Sequence, residues 1–380
     1  MDSIDATVAE LSAEPHELLA RLREHAPVSW LPSLNGWLVT RHAEAVRVMR
    51  NPAVFTVDDP RFSTAQVVGP SMLSLDGADH ARHRAPFASA FRPAAVRTRF
   101  ADFVTAEAER LVTSIKPAGT AELRRGIAGP LAVSVVAKVL GLGDVEISKV
   151  LAWYDAIVGA VSGVSEGNGV NPAGIAAFGQ LSARVRETIA LRNDSVLADA
   201  AGLTADEIVS NAAVMMFGGI ETTEGMITNA VWHLLECSDG LGQVASDSAL
   251  LENAVEESLR FEPAAAVVDR YATQDVDLGG ASIRRGDLVV VSITGANRDP
   301  LVFPDPDVFD VRRPNARQHL AFAHGPHVCV AADLARLETR TAIKTLAANL
   351  PDFRLTHAER PTGLVFRKPQ ALHVEWSIVD

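Results

Sequence analysis

The chain has 380 residues, 48% of them hydrophobic and 22% charged, which is a globular composition rather than a disordered one. A formal net charge of −12 argues against nucleic acid as a partner, because phosphate binding needs basic surface. Two cysteines, Cys237 and Cys329, are too few for a disulfide framework and fit a reducing compartment.

The stretch before Pro27 has no basic start followed by an apolar core, so no signal peptide is expected. No uninterrupted apolar run reaches the ~18 residues of a membrane span, and a cytoplasmic protein is expected. Residues 28–42 predict two short strands about an Asn35-Gly36 turn. Helical patterning then dominates from about 43 to 261. Thr204-Ala205-Asp206-Glu207 has the spacing of a capping box, and the apolar pattern persists to about Glu236. A helix of that length is roughly 50 Å long at ~1.5 Å per residue. Gly218-Gly219 lies near its middle, where each glycine weakens a helix by about 1 kcal/mol. The pair predicts close approach to the backbone, by a ligand or by a packing helix.

Between about 268 and 294 the pattern turns to short β-like runs around Gly279-Gly280. A last helix is predicted from about 330 to 349, ending before Pro351, with two more strands in 364–377. No repeat and no low-complexity linker divides the chain. The expectation is one large domain, 1–380, mainly α with a minor β part.

Cys329 follows Phe322-Ala323-His324-Gly325-Pro326-His327-Val328, in which Gly-Pro shapes a tight turn, and a helical run comes straight after it. A thiol at a helix N-terminus has its pKa lowered by the dipole and the free N–H groups, and its thiolate is a soft ligand for iron. A buried structural cysteine is the plain alternative. A zinc site from His324, His327 and Cys329 is another, though neither C-x-x-C nor H-E-x-x-H spacing is present. Glu257 and Arg260 form E-x-x-R, whose side chains share a helix face. His80 and Arg84 stand at i,i+4. Phe303-Pro304-Asp305-Pro306 leads through Phe309-Asp310 to Arg313.

Together and in this order, these segments resemble the cytochrome P450 superfamily of haem-thiolate monooxygenases, above all its soluble bacterial members. The resemblance runs from the His80 region to the C-terminus and implies a cytochrome P450-like fold. It implies haem b (iron protoporphyrin IX) with Cys329 as axial ligand. His327, Arg270, His80 and Arg84 match partners of the haem propionates, which need charge-assisted contacts when buried. Glu257, Arg260 and Arg313 match an ion-pair network bracing the cysteine loop, with Arg312 as the rival for the third place. Glu221 and Thr222 match an acid–alcohol pair that delivers protons beside the oxygen site, and Gly218 and Gly219 open the helix wall there.

Two residues depart from the family pattern. Ala323 and Ala331 replace usual glycines in the cysteine loop, each adding one methyl group, and Ala331 is expected in the first helical turn. The connection from Arg192 to Thr204 is short for the family. The resemblance implies electrons from NAD(P)H through a ferredoxin or flavodoxin and its reductase. The acid-free stretch His80–Arg99, with Arg82, Arg84, Arg92, Arg97 and Arg99, is a candidate docking surface for an acidic carrier. A mainly apolar pocket is expected from residues near 60–75 and from Phe217, Ala265, Val267 and Val365, with Arg61 or Glu166 for a polar group. The substrate implied is a small apolar organic molecule, such as a secondary-metabolite intermediate. Peroxygenation, C–C coupling, desaturation and non-catalytic haem sensing are the other outcomes open to such a protein.

Overall fold

Asn35 adopts φ +46, a left-handed backbone that asparagine tolerates, and so reverses the chain after a single 3₁₀ turn, Pro32–Leu34. The structure is a computed structural model that describes residues 6–165, 169–191, 195–198 and 200–378. Its residues group into two compact units, Met1–Thr56 with Ala108–Ala128 and Thr222–Asp380, and Val57–Glu107 with Gly129–Glu221.

The first unit holds the strands found among the described residues. In chain order they are β1 Val28–Leu31, β2 Gly36–Val39, β3 Phe55–Thr56, β4 Thr120–Glu122, β5 Val267–Ala272, β6 Val276–Leu278, β7 Ala281–Ile283, β8 Leu288–Ser292, β9 Arg354–Ala358 and β10 Leu372–Glu375. The main sheet has the order β1-β2-β8-β5-β3, with β2 and β8 parallel and the other pairs antiparallel. Val289 and Val291 of β8 pack with Val39, Val48 and Phe55 in one core cluster, whereas Val290 joins Leu18, Leu22, Leu31 and Leu38 in another. Both faces of β8 are therefore covered, which is why it reads as a continuous apolar run instead of alternating. Each buried valine contributes about 2 kcal/mol of apolar transfer.

The described part of the second unit is helical. It comprises Ser63–Val68, Gly77–Ala88, Gly129–Val139, Ile147–Ser165, Pro172–Leu191 and portions of two longer helices, Pro93–Ile115 and Ala205–Glu236. A Cβ on Gly174 would lie 2.3 Å from Ala160 Cβ, so glycine there lets two helices cross closely. The helix Ile147–Ser165 is apolar enough on average to span a membrane, with a mean hydropathy of 1.3 over Ile147–Val164. Lys149 and Asp155 interrupt its apolar run, which hides this property from a reading of uninterrupted runs. Trp153, Tyr154, Ile157 and Ala160 of this helix are buried, so much of the apolar face is core.

The capping box forms at the head of the long helix. Thr204 N–H donates to Glu207 Oε2 at 2.8 Å, and Glu207 N–H donates to Thr204 Oγ1 at 3.3 Å. The helix that follows runs 32 residues, Ala205–Glu236. The mainly helical fold with a minor β part agrees with the patterning, but two boundaries differ. The last helix is Ala332–Asn349, with Ala331 as its N-cap at φ −99, so Ala331 precedes the first turn and does not occupy it. Around residue 365 the chain makes only isolated bridges, Ala265 to Phe366 and Thr362 to Lys368, and the strand after the helix is β9. The connection after Arg192 lies partly outside the described residues.

Candidate active site

Helix Ser248–Phe261 carries two adjacent glutamates pointing at different partners. Glu257 and Arg260 are fully buried, and Arg260 Nε–H and Nη2–H donate to Glu257 Oε2 and Oε1 at 2.7 and 2.8 Å. Arg313 Nε–H donates to Glu257 Oε1 at 3.0 Å, while Arg312 turns outward to Asp239. Between them the two arginines donate to the carbonyls of Asn297, Pro304, Asp305, Pro306 and Val308. Two buried cations sharing one carboxylate are tolerable because backbone carbonyls take the remaining donors. The Phe303–Phe309 segment is thereby tied to the helix.

Glu256 makes a second knot that the sequence reading missed. Arg336 Nε–H and Nη2–H donate to it at 2.6 and 2.9 Å, and His319 Nε2 lies 3.0 Å from its Oε2. His319 Nδ1 accepts from Ala321 N–H at 3.1 Å. This places the proton on Nε2 of a neutral ring, in line with the pKa of His319, which burial lowers. Burial pushes the Glu256 carboxyl up, but His319 and Arg336 outweigh it and hold it at about 2. Arg336 also lies over the Phe322 ring, 4.6 Å from its centroid. It thus links the last helix to the loop before Cys329.

That loop is tightly closed. Ala323 N–H donates to Leu320 O at 2.8 Å, Val328 N–H to Gly325 O at 3.1 Å, and Cys329 N–H to Phe322 O at 2.8 Å. Ala323 sits at φ +58, so its departure from glycine costs backbone strain and is more than an added methyl. Gly325 at φ +74 is irreplaceable, since a Cβ would meet Met49 O at 2.5 Å. Cys329 is exposed and not in a disulfide, and it lies three residues before the first helical residue. Phe322, Ala323, Val330 and Ala331 around it are half-buried, as is His327.

Elsewhere in the first unit, Arg270 is buried in β5 and donates to Asp269 O at 2.7 Å. Ala266 N–H bonds Val365 O and Arg367 N–H bonds Ala264 O, which sets Ala265, Val267 and the exposed Val365 along one short wall. Thr222 is half-buried in the long helix. Glu224, two residues on, is buried and held by Arg124 at 2.9 Å and by Lys368. No short motif marked it, because its partners are remote in sequence.

In the second unit, His80 is buried and Arg84 half-buried in helix Gly77–Ala88. The long helix is buried on both sides of its middle, but Met215, Phe217, Gly218, Gly219 and Glu221 are half-exposed. A Cβ on Gly218 would meet nothing within 4 Å, whereas one on Gly219 would lie 2.6 Å from Val136 Cγ2. One glycine leaves space, and its neighbour serves helix packing. Tyr154 donates its hydroxyl to Glu221. Arg61 pairs with Asp59 at 2.8 Å, and Glu166 lies outside the described residues. Of the basic stretch, Arg82 pairs with Glu207 at 2.7 Å, and Arg92 and Arg97 are exposed.

Among the described residues no three metal-binding side chains converge, which removes the zinc alternative for His324, His327 and Cys329. A metal held by one exposed thiol must take its other ligands from a cofactor. Cys329 in its apolar surround fits haem on that chemistry.

A family model described as cytochrome P450 matches residues 245–363. The chain is 32% identical to cytochrome P450 monooxygenase PikC of Streptomyces venezuelae, over 97% of this chain and 92% of PikC. It is 32% identical to nocardicin C N-oxygenase of Nocardia uniformis subsp. tsuyamanensis, over 90% of this chain and 89% of the other. Its fold is similar to the cytochrome P450 enzyme CxnD for C–S bond formation in chuangxinmycin biosynthesis, with TM-score 0.87, 26% identity and both chains fully covered.

Proposed function

The chain belongs to the cytochrome P450 family and is a monooxygenase, and on that footing we propose that it inserts one oxygen atom from O2 into a small, mainly apolar organic substrate, a secondary-metabolite intermediate. As a family member it carries haem and takes electrons from a redox partner. We further assign the haem as haem b, the electron source as NAD(P)H through a ferredoxin or flavodoxin with its reductase, and the compartment as the cytoplasm. When bound through a cysteine thiolate, haem supplies an iron made electron-rich by sulfur, which favours O–O cleavage.

The chain's own residues divide the remaining work. Cys329 would hold the haem iron through its thiolate, presented by a loop tied to Glu256 through Arg336 and His319. The charges of Arg270 and Arg84 and the ring nitrogens of His80 and His327 would neutralise and hold the two propionates. The Thr222 hydroxyl holds a water, and the Glu221 carboxylate passes protons to it. Ala265, Val267 and Val365 would offer substrate one apolar surface, and Phe217 would be a further apolar contact. The observation that carries this reading is the Glu256–Arg336–His319 knot behind the loop of an exposed thiol.

Turnover under isotopically labelled dioxygen, with a surrogate ferredoxin and reductase, tests it on compounds chosen by their shift of the haem spectrum. A product carrying one labelled oxygen atom is expected. An oxidised or coupled product without label favours the second reading, a haem-thiolate enzyme that forms bonds or desaturates, which the likeness to CxnD supports. Binding without any NADH-dependent product would make it a sensor.

A further inference from the structure

Two carboxylates of the long helix are held in opposite ways. Glu224 is gripped by the cations Arg124 and Lys368, all three side chains being largely buried. A carboxylate so held does not move, because leaving would strand buried charges. Glu221, nearly one turn earlier, accepts instead from the hydroxyl of Tyr154 on helix Ile147–Ser165. Tyr154 is 6% exposed, and the chain has only two tyrosines. A buried phenol needs a hydrogen-bond partner, and here that partner is the acid assigned to proton delivery.

We propose that Tyr154 is a positioning residue for Glu221, holding its carboxylate in one resting orientation and releasing it to carry a proton towards Thr222. The proposal rests on the reading of Glu221 and Thr222 given above. A neutral donor suits this task, since letting go of it leaves no unpaired charge behind. The phenol keeps its own proton throughout, the proton that Glu221 gives up is replaced from solvent, and no electron moves. Losing one ordinary hydrogen bond changes the resting population about fivefold, equivalent to ~1 kcal/mol.

Tyr154→Phe removes the donor and keeps the ring in the core. Two readouts on the haem-loaded protein decide the matter. The first is the infrared carboxylate band that Glu221→Gln abolishes, measured in the resting protein without turnover. The second is the ratio of peroxide to water formed as NADH is oxidised through a surrogate ferredoxin and reductase, with no substrate added. In Tyr154→Phe the band should shift and the ratio should rise about fivefold. An unmoved band shows that the hydroxyl does not hold Glu221 and overturns the proposal. A shifted band with an unchanged ratio overturns the positioning role while leaving the contact. If Glu221→Gln itself leaves the ratio unchanged, the acid has no part in proton delivery and the proposal falls with that reading.

Discussion

Replacing Glu256 by glutamine isolates the second knot behind the cysteine loop. The carboxylate is 1% exposed and accepts two hydrogen bonds from Arg336 and one from His319. Its folded pKa of about 2 against an ordinary 4.5 corresponds to about 3 kcal/mol of folding free energy, at ~1.36 kcal/mol per unit. Removing one partner of a buried ion pair costs ~3–5 kcal/mol, and Arg336 is 21% exposed, so water recovers part of that. Both routes give a loss of about 3 kcal/mol. The sign with pH follows from the depressed pKa. The stabilisation is whole above about 4.5 and is lost as pH falls towards about 2. Guanidinium unfolding of Glu256→Gln at neutral pH should show that loss at an unchanged m-value, and the acid slope between those limits should flatten. A variant within ~0.5 kcal/mol of the parent, with the same acid slope, would refute the brace.

Ala323→Gly relieves a left-handed alanine and should raise stability by about 1 kcal/mol, and a lower melting temperature would contradict the strain. Gly219→Ala should cost ~1–3 kcal/mol by driving a methyl against Val136, whereas Gly218→Ala should fold as well as the parent or better while losing haem or ligand affinity. Equal stability of these two variants would show that their surroundings do not differ. Burial lowers the pKa of His233 to about 3, so the protein should lose stability as pH falls below about 6.5, by up to ~1.4 kcal/mol per unit from this ring. The fall in melting temperature between pH 7 and pH 5 should shrink in His233→Gln. An equal fall would remove His233 as the cause.

What could be read from the sequence was what lies within a few residues. The capping box at Thr204 and the Glu257–Arg260 pair are both spaced i,i+3 and need only a helix to bring them together. The choice between Arg312 and Arg313 needed three dimensions, because neighbouring side chains of the same type leave the chain in different directions. Glu256 was hidden for the same reason. His319 and Arg336 are 63 and 80 residues away, and nothing in E-E-S-L-R shows that Glu256 has partners there. The cost of Ala323 is a property of backbone torsion, invisible in residue type alone, and the start of the last helix at Ala332 depends on hydrogen bonds inside the loop. Tyr154 sits in a helix that reads as plain core, with its partner 67 residues on.

Ligation of haem by the Cys329 thiolate is decided by the absorption of the reduced protein under carbon monoxide. The result expected is a strongly red-shifted Soret band that Cys329→Ala abolishes. A haem spectrum with histidine-type ligation, or a colourless protein without iron, would contradict it.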